Sequence, residues 1–151
     1  MPAQALDIPE CLLDLDSTFL PVGQMRQISR VIVTDGPHIT ALVDLGPRHW
    51  VFPQHFPGDP IFPGTLMIEA AGQLVALWAW ARGHRGRPRL VRTSATFHHP
   101  VTRETPRLEL RAEVRGRRSL QFGTVDVMAN ERQVARVEVV LTVLPPQEPG
   151  Q

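Results

Sequence analysis

Two side chains suited to moving protons stand fourteen residues apart: His55, in a proline-rich loop, and Glu69, in an otherwise apolar run. Imidazole titrates close to neutral pH and suits a general base. A carboxyl group in an apolar setting is biased by desolvation toward its protonated form, so it can protonate or orient a hydroxyl. Between the two, Pro63-Gly64-Thr65 leads into Leu66–Ala81, a run dominated by good helix formers, with Thr65 as the expected N-cap. The first N–H groups of a helix lack internal partners and its dipole favours negative charge, so this start offers donors for an oxyanion. Taken singly, each residue has a plainer reading: a turn histidine, or a glutamate complementing a helix dipole. Together they place base, acid and anion donor in one short segment, which points to proton-transfer catalysis.

The surrounding elements must hold these groups. Residues 46–64 carry five of the fifteen prolines and three glycines, so they trace a defined loop and not regular structure. The run after Thr65 is apolar on every face, which predicts a helix over 65–81 enclosed on most sides, with Trp78 and Trp80 in the core or at a contact between copies. Before the loop, 26–34 and 38–45 read as a hairpin around Asp35-Gly36-Pro37. After the helix, strands are expected over 89–98, 107–115, 119–128 and 133–144, with Gly123 as a bulge. Residues 1–20 read as an N-terminal arm with a short helical stretch from Cys11, and 145–151 as a frayed tail. One antiparallel sheet curling around one central helix accounts for the pattern, an α+β fold in a single domain.

Composition narrows the class. Apolar residues are 42% of the 151 and charged ones 21%, as expected for a globular protein. One cysteine, Cys11, permits no intrachain disulfide and no Cys-based metal site, which fits a reducing compartment. The first residues lack the pattern of a secretory signal, and the apolar run is too short and too interrupted for a membrane span, so a cytoplasmic location away from membranes is expected. His98 and His99, as strand neighbours, would point to opposite faces and could not share a metal; no metal or cofactor is expected. Residues 82–118 hold eleven arginines against three glutamates. That stretch reads as a solvated strand face, as a docking surface for an acidic partner, or, least well given the scarcity of aromatics, as a nucleic-acid surface; no nucleic-acid partner is expected.

The segment His55-Phe-Pro-Gly58-Asp-Pro60-Ile-Phe-Pro63-Gly64-Thr-Leu-Met-Ile-Glu69-Ala-Ala-Gly-Gln73 closely resembles the signature of bacterial 3-hydroxyacyl-acyl-carrier-protein dehydratases of the FabZ/FabA type, which have the hotdog fold. Phe97 and Pro100-Val101 fit the strand that follows the helix in that family. Arg103-Glu104-Thr105 replaces the usual Pro-Gly-Asp, and Thr18-Phe-Leu-Pro21 stands in place of an N-terminal Pro-His-Arg-x-Pro-Phe segment. The resemblance implies a curved antiparallel sheet around one helix, and dehydration of a 3-hydroxyacyl thioester, carried by acyl carrier protein or CoA, to the trans-2-enoyl product in fatty-acid or polyketide-type biosynthesis. It implies His55 at the α-proton, Glu69 at the hydroxyl and the Gly64 N–H at the thioester carbonyl. Gln73, four residues beyond Glu69 on the same helix face, would steady the carboxyl, with Gly58 and Pro63 shaping the loop. Phe56, Ile61, Phe62, Leu66 and Phe97 are the acyl-pocket candidates. Since His and Glu of one site come from opposite subunits in that family, a homodimer or trimer of dimers is implied. Glutamate at 69 resembles the non-isomerising branch. Two other readings remain: a hotdog thioesterase, which needs a helix carboxylate but not the His-Phe-Pro-Gly loop, and a non-catalytic hotdog subunit of a larger synthase, suggested by the two replaced segments.

Overall fold

The computed structural model describes residues 15–147. The helical stretch expected from Cys11, most of the N-terminal arm and the end of the tail lie outside them. The hairpin β1 (Arg30–Asp35) and β2 (His38–Asp44) turns at Gly36, whose φ of 57° lies in the left-handed region that glycine reaches without strain. The loop then leads to α1 (Gly64–Ala81), followed by β3 (Arg87–Phe97), β4 (Arg107–Arg117), β5 (Leu120–Ala129) and β6 (Arg132–Leu144). The strands form one antiparallel sheet in the order β1-β2-β4-β5-β6-β3. The chain therefore leaves β2, crosses the sheet as α1, builds the far edge as β3 and returns to β4.

Alternation explains which face is covered. Leu108, Leu110, Ala112 and Val114 of β4 are buried while Arg107, Arg111, Glu113 and Arg115 between them are exposed. Val125 and Val127 of β5 and Val137, Val139 and Leu141 of β6 continue the buried face. Against it pack Leu74, Val75, Leu77, Trp78 and Trp80 of α1. Each large apolar side chain so enclosed stabilises the fold by roughly 1.5–3 kcal/mol. No helix among the described residues is long and apolar enough to cross a membrane.

Three expectations are corrected. Thr65 is not the N-cap: the helix begins at Gly64, with extended Pro63 as N-cap and no side-chain capping bond, and Thr65 is exposed. The Pro63 carbonyl instead accepts from the Leu66 and Met67 amides. Gly123 makes no bulge; it pairs in register with Val114 and Val139, and the irregularity in β5 falls at Val127/Met128. Its glycine answers a different need, because a Cβ there would stand 2.4 Å from Val75 Cγ2 on the helix. The opposite-face argument for His98 and His99 also lapses, since β3 ends at Phe97 and both amides donate to the Val134 carbonyl.

The far edge is unlike the rest of the sheet. β3 pairs only with β6, and most of it is exposed on both faces, Leu90 and Val91 included.

If the Gly123–Val75 contact sets the distance between helix and sheet, Gly123→Ala should lower stability by about 1–3 kcal/mol. The loss should shrink in a Val75→Ala background, a coupling that urea denaturation of the single and double variants would measure.

Candidate active site

A string of turns positions His55. His49 N–H donates to Gly46 O, Phe52 N–H to His49 O, and both Gln54 and His55 N–H to Val51 O, at 3.1, 3.3, 3.0 and 2.8 Å. Phe56 and Asp59 then exchange backbone bonds of 2.9 and 3.0 Å, closing a tight turn that contains Gly58. This brings Ile61 back to His55, where Ile61 N–H donates to the His55 carbonyl and His55 Nδ1 lies 3.1 Å from Ile61 O. A carbonyl only accepts, so Nδ1 carries a proton, and in the neutral ring Nε2 is then the accepting nitrogen. The imidazole is partly buried and stacks on exposed Phe56 with ring centroids 4.0 Å apart. The result is an imidazole whose ring orientation is set by its bond to Ile61.

Sequence reasoning missed a second histidine in this loop. His49 packs among Trp50, Phe52 and Phe62, with centroids 5.5–5.9 Å away, and its Nδ1 accepts the Val51 N–H at 3.2 Å. Burial holds its pKa below the ordinary imidazole value, in keeping with a neutral acceptor. It thereby ties the His55 turns to Phe62, the residue preceding Pro63-Gly64. No spacing rule marks such a residue, because its partners are aromatic faces and one backbone amide.

At the helix start, the N–H groups of Gly64 and Thr65 donate to no described group, whereas those of Leu66 and Met67 use the Pro63 carbonyl. Pro63 is buried, Phe62 N–H is anchored on Val101 O at 2.8 Å, and Ile61 bridges to Thr102. A Cβ on Gly64 would stand 2.7 Å from the half-exposed Phe97 ring, which would have to shift to admit it. Ile61, Phe62, Gly64 and Phe97 line one cavity, with His98 and His99 at its side. His99 Nδ1 lies 3.0 Å from Arg132 Nη2; desolvation, then the charges of Arg132 and His98, lower its pKa. Leu66 packs against the core, partly buried.

Glu69, five residues on, stands about 7.5 Å further along the helix axis. Gln73 Nε2 donates to Glu69 Oε1 at 3.3 Å and to Met25 O at 2.7 Å, and Gln73 Oε1 accepts from the Gln27 and Ile28 amides at 2.9 and 3.3 Å. Those backbone bonds fix the orientation of the amide, so it must present a donor to the carboxylate. The sequence suggested Gln73 as support but gave no sign of residues 25–28, which take part through their backbone. Partly buried Glu69 faces a second cavity, bordered by Phe19, Gly72, Ala76 and Leu90 of the β3 edge, and His55 is not among the residues lining it. Within one chain, therefore, His55 lies outside the groove that Glu69 faces. Among the described residues, no cluster of three or more His, Cys, Asp or Glu side chains could hold a metal.

A curved six-stranded antiparallel sheet around one long helix is the hotdog fold, and solved structures share it. In the dehydratase heterocomplex ApeI:P from Xenorhabdus doucetiae the match covers 84% of this chain and 89% of that one, with a TM-score of 0.68 and 16% identity. AziG from S. sahachiroi covers 76% and 90% at 0.61 and 24% identity, and a hypothetical thioesterase with coenzyme A from Streptococcus pneumoniae covers 78% and 87% at 0.62 and 13%. Residues 20–138 match the FabA-like domain, and the chain belongs to that family.

Gln73→Leu should leave the buried Gln27 and Ile28 amides without their partner, while the Met25 carbonyl keeps its bond from Gln27 Nε2. Each such buried group costs about 1–3 kcal/mol. A fall in the thermal or urea midpoint is expected, larger than for a surface substitution.

Proposed function

We propose that the protein dehydrates 3-hydroxyacyl thioesters to trans-2-enoyl thioesters, and that two copies together form each site. The observation that carries this reading is the division of groups: His55 is held in the loop against Ile61, three residues before Gly64 and outside the Glu69 groove, while Glu69 lies in a groove whose outer wall is the open edge of β3. Antiparallel pairing of two β3 edges sets the first half of the strand in one copy beside its last half in the other. The Glu69 groove, bordered by Leu90, then meets the loop end of the second copy, marked by Phe97 and Gly64.

In the reaction, His55 Nε2 takes the proton from the carbon next to the thioester carbonyl. The electron pair moves toward the carbonyl oxygen, which the Gly64 N–H stabilises. It returns to form the C2–C3 double bond as the C3–O bond breaks, and Glu69 of the other copy protonates the leaving hydroxyl, which departs as water. Transfer of the proton from imidazolium to carboxylate resets the pair.

An acidic carrier protein fits as the substrate's bearer. Arg82, His84, Arg115 and Arg118 surround one shallow concavity beyond the helix C-terminus, and the residues lining it include no acid. Arg85 and Arg87 lie at the same end of the fold, which β3 pairing would turn toward the loop end of the second copy. A thioesterase is the second reading, favoured by the thioesterase among the structural neighbours. It predicts free thiol from an acyl thioester and no need for His55.

Two measurements test the proposal. With a 3-hydroxyacyl thioester, enoyl absorbance should rise, and His55→Ala should reduce the rate by about 100-fold or more. Equal activity in that variant would end the mechanism. Mixing inactive His55→Ala with inactive Glu69→Ala should restore about a quarter of wild-type activity, because half the random pairs carry one intact site of two; no restoration would show that base and acid come from one chain.

A further inference from the structure

Glycines in the packed parts of the fold have steric reasons, and one does not. At Gly64 a Cβ would meet the Phe97 ring, and at Gly123 it would meet Val75. At Gly72, inside α1, a Cβ would meet nothing within 4 Å, and the φ lies outside the left-handed region. Neither packing nor backbone conformation calls for glycine there. It costs about 1 kcal/mol relative to alanine in a helix interior. What it leaves is space, on the same helix face as Glu69 and one turn beyond it.

That space belongs to the groove that Glu69 faces, a cavity of about 370 Å³. Gly72 and Ala76 form its helix side, three and seven residues after the carboxyl, and Phe19, Leu90 and Leu141 supply apolar walls. A chain attached to the carbon whose hydroxyl Glu69 handles would run past this stripe. Gly72 lies about 4.5 Å beyond Glu69 along the axis, on the order of three or four bonds of an extended hydrocarbon.

We propose that Gly72 is the specificity-determining residue of the acyl groove: its missing side chain admits acyl groups that extend or broaden beyond the fourth carbon, and Ala76 continues the channel for longer chains. The substrate class is then medium-chain or bulky 3-hydroxyacyl thioesters, not 3-hydroxybutyryl alone. This rests on Glu69 acting at the C3 hydroxyl, as proposed above.

The test compares wild type, Gly72→Ala and Gly72→Leu on 3-hydroxybutyryl- and 3-hydroxydecanoyl-pantetheine. The leucine variant should lower the decanoyl-to-butyryl ratio of kcat/KM by about 100-fold, with alanine intermediate, while the melting temperature stays level or rises. A ratio unchanged in folded Gly72→Leu overturns the proposal. Binding of saturated decanoyl-pantetheine, followed by calorimetry, separates the two claims. If the wild type binds it, Gly72→Leu does not, and neither dehydrates, the groove assignment stands and the dehydratase reading falls. If dehydration proceeds but decanoyl binding ignores the substitution, only the groove assignment falls.

Discussion

The structure depends on burying an apolar helix against a single sheet. α1 buries most of its length, from Met67 to Trp80, so the sheet must curve around it and the helix must lie close. Gly123 gives up its side chain to allow that approach. Because the helix is held rigidly along its length, its first turn is delivered to a fixed place. Gly64, Glu69 and Gln73 ride on the same rigid rod, so the spacing between the first amide, the carboxyl and its amide partner follows from helix geometry alone. The loop before it is fixed without regular structure, by the backbone bonds of His55 to Val51 and Ile61 and by His49 packed against Phe62.

The same burial leaves something unfinished. β1 and β3 are the two edges, but β3 is long, exposed on both faces and carries Leu90 and Val91 into solvent. An edge of this kind is a template for pairing. Beside it runs the groove that holds Glu69, so covering the edge and completing the site are one event in the proposed assembly. Membership of the FabA-like family agrees with chemistry on acyl thioesters, and within one chain His55 does not line the Glu69 groove, as the proposed shared site requires.

Much of this was legible in the sequence because it was carried by side-chain pattern. Alternation in 107–115 marked β4, the all-round apolar run marked α1, and the proline-rich stretch marked the loop. What escaped was carried by backbone or by tertiary distance. Thr65 looked like a cap by residue type, yet the proline two residues earlier took the position, with the Phe97 ring against the glycine after it. Gly123 looked like a bulge because a glycine in a strand has two explanations, and only the distance to Val75 separates them. The Met25–Ile28 partners of Gln73 use main-chain atoms, which any sequence would supply. Phe97 and Gly64 were both singled out, but nothing in their spacing said that one ring lies over the other.

The most direct test of the central claim is a crystal structure of the assembled protein with a non-reacting 3-hydroxyacyl amide bound. The account predicts His55 Nε2 of one copy at the α-carbon, Glu69 of the other at the hydroxyl, and the Gly64 N–H on the carbonyl oxygen. A ligand contacted by both side chains of a single copy, or an assembly in which His55 and Glu69 never reach one pocket, would contradict it.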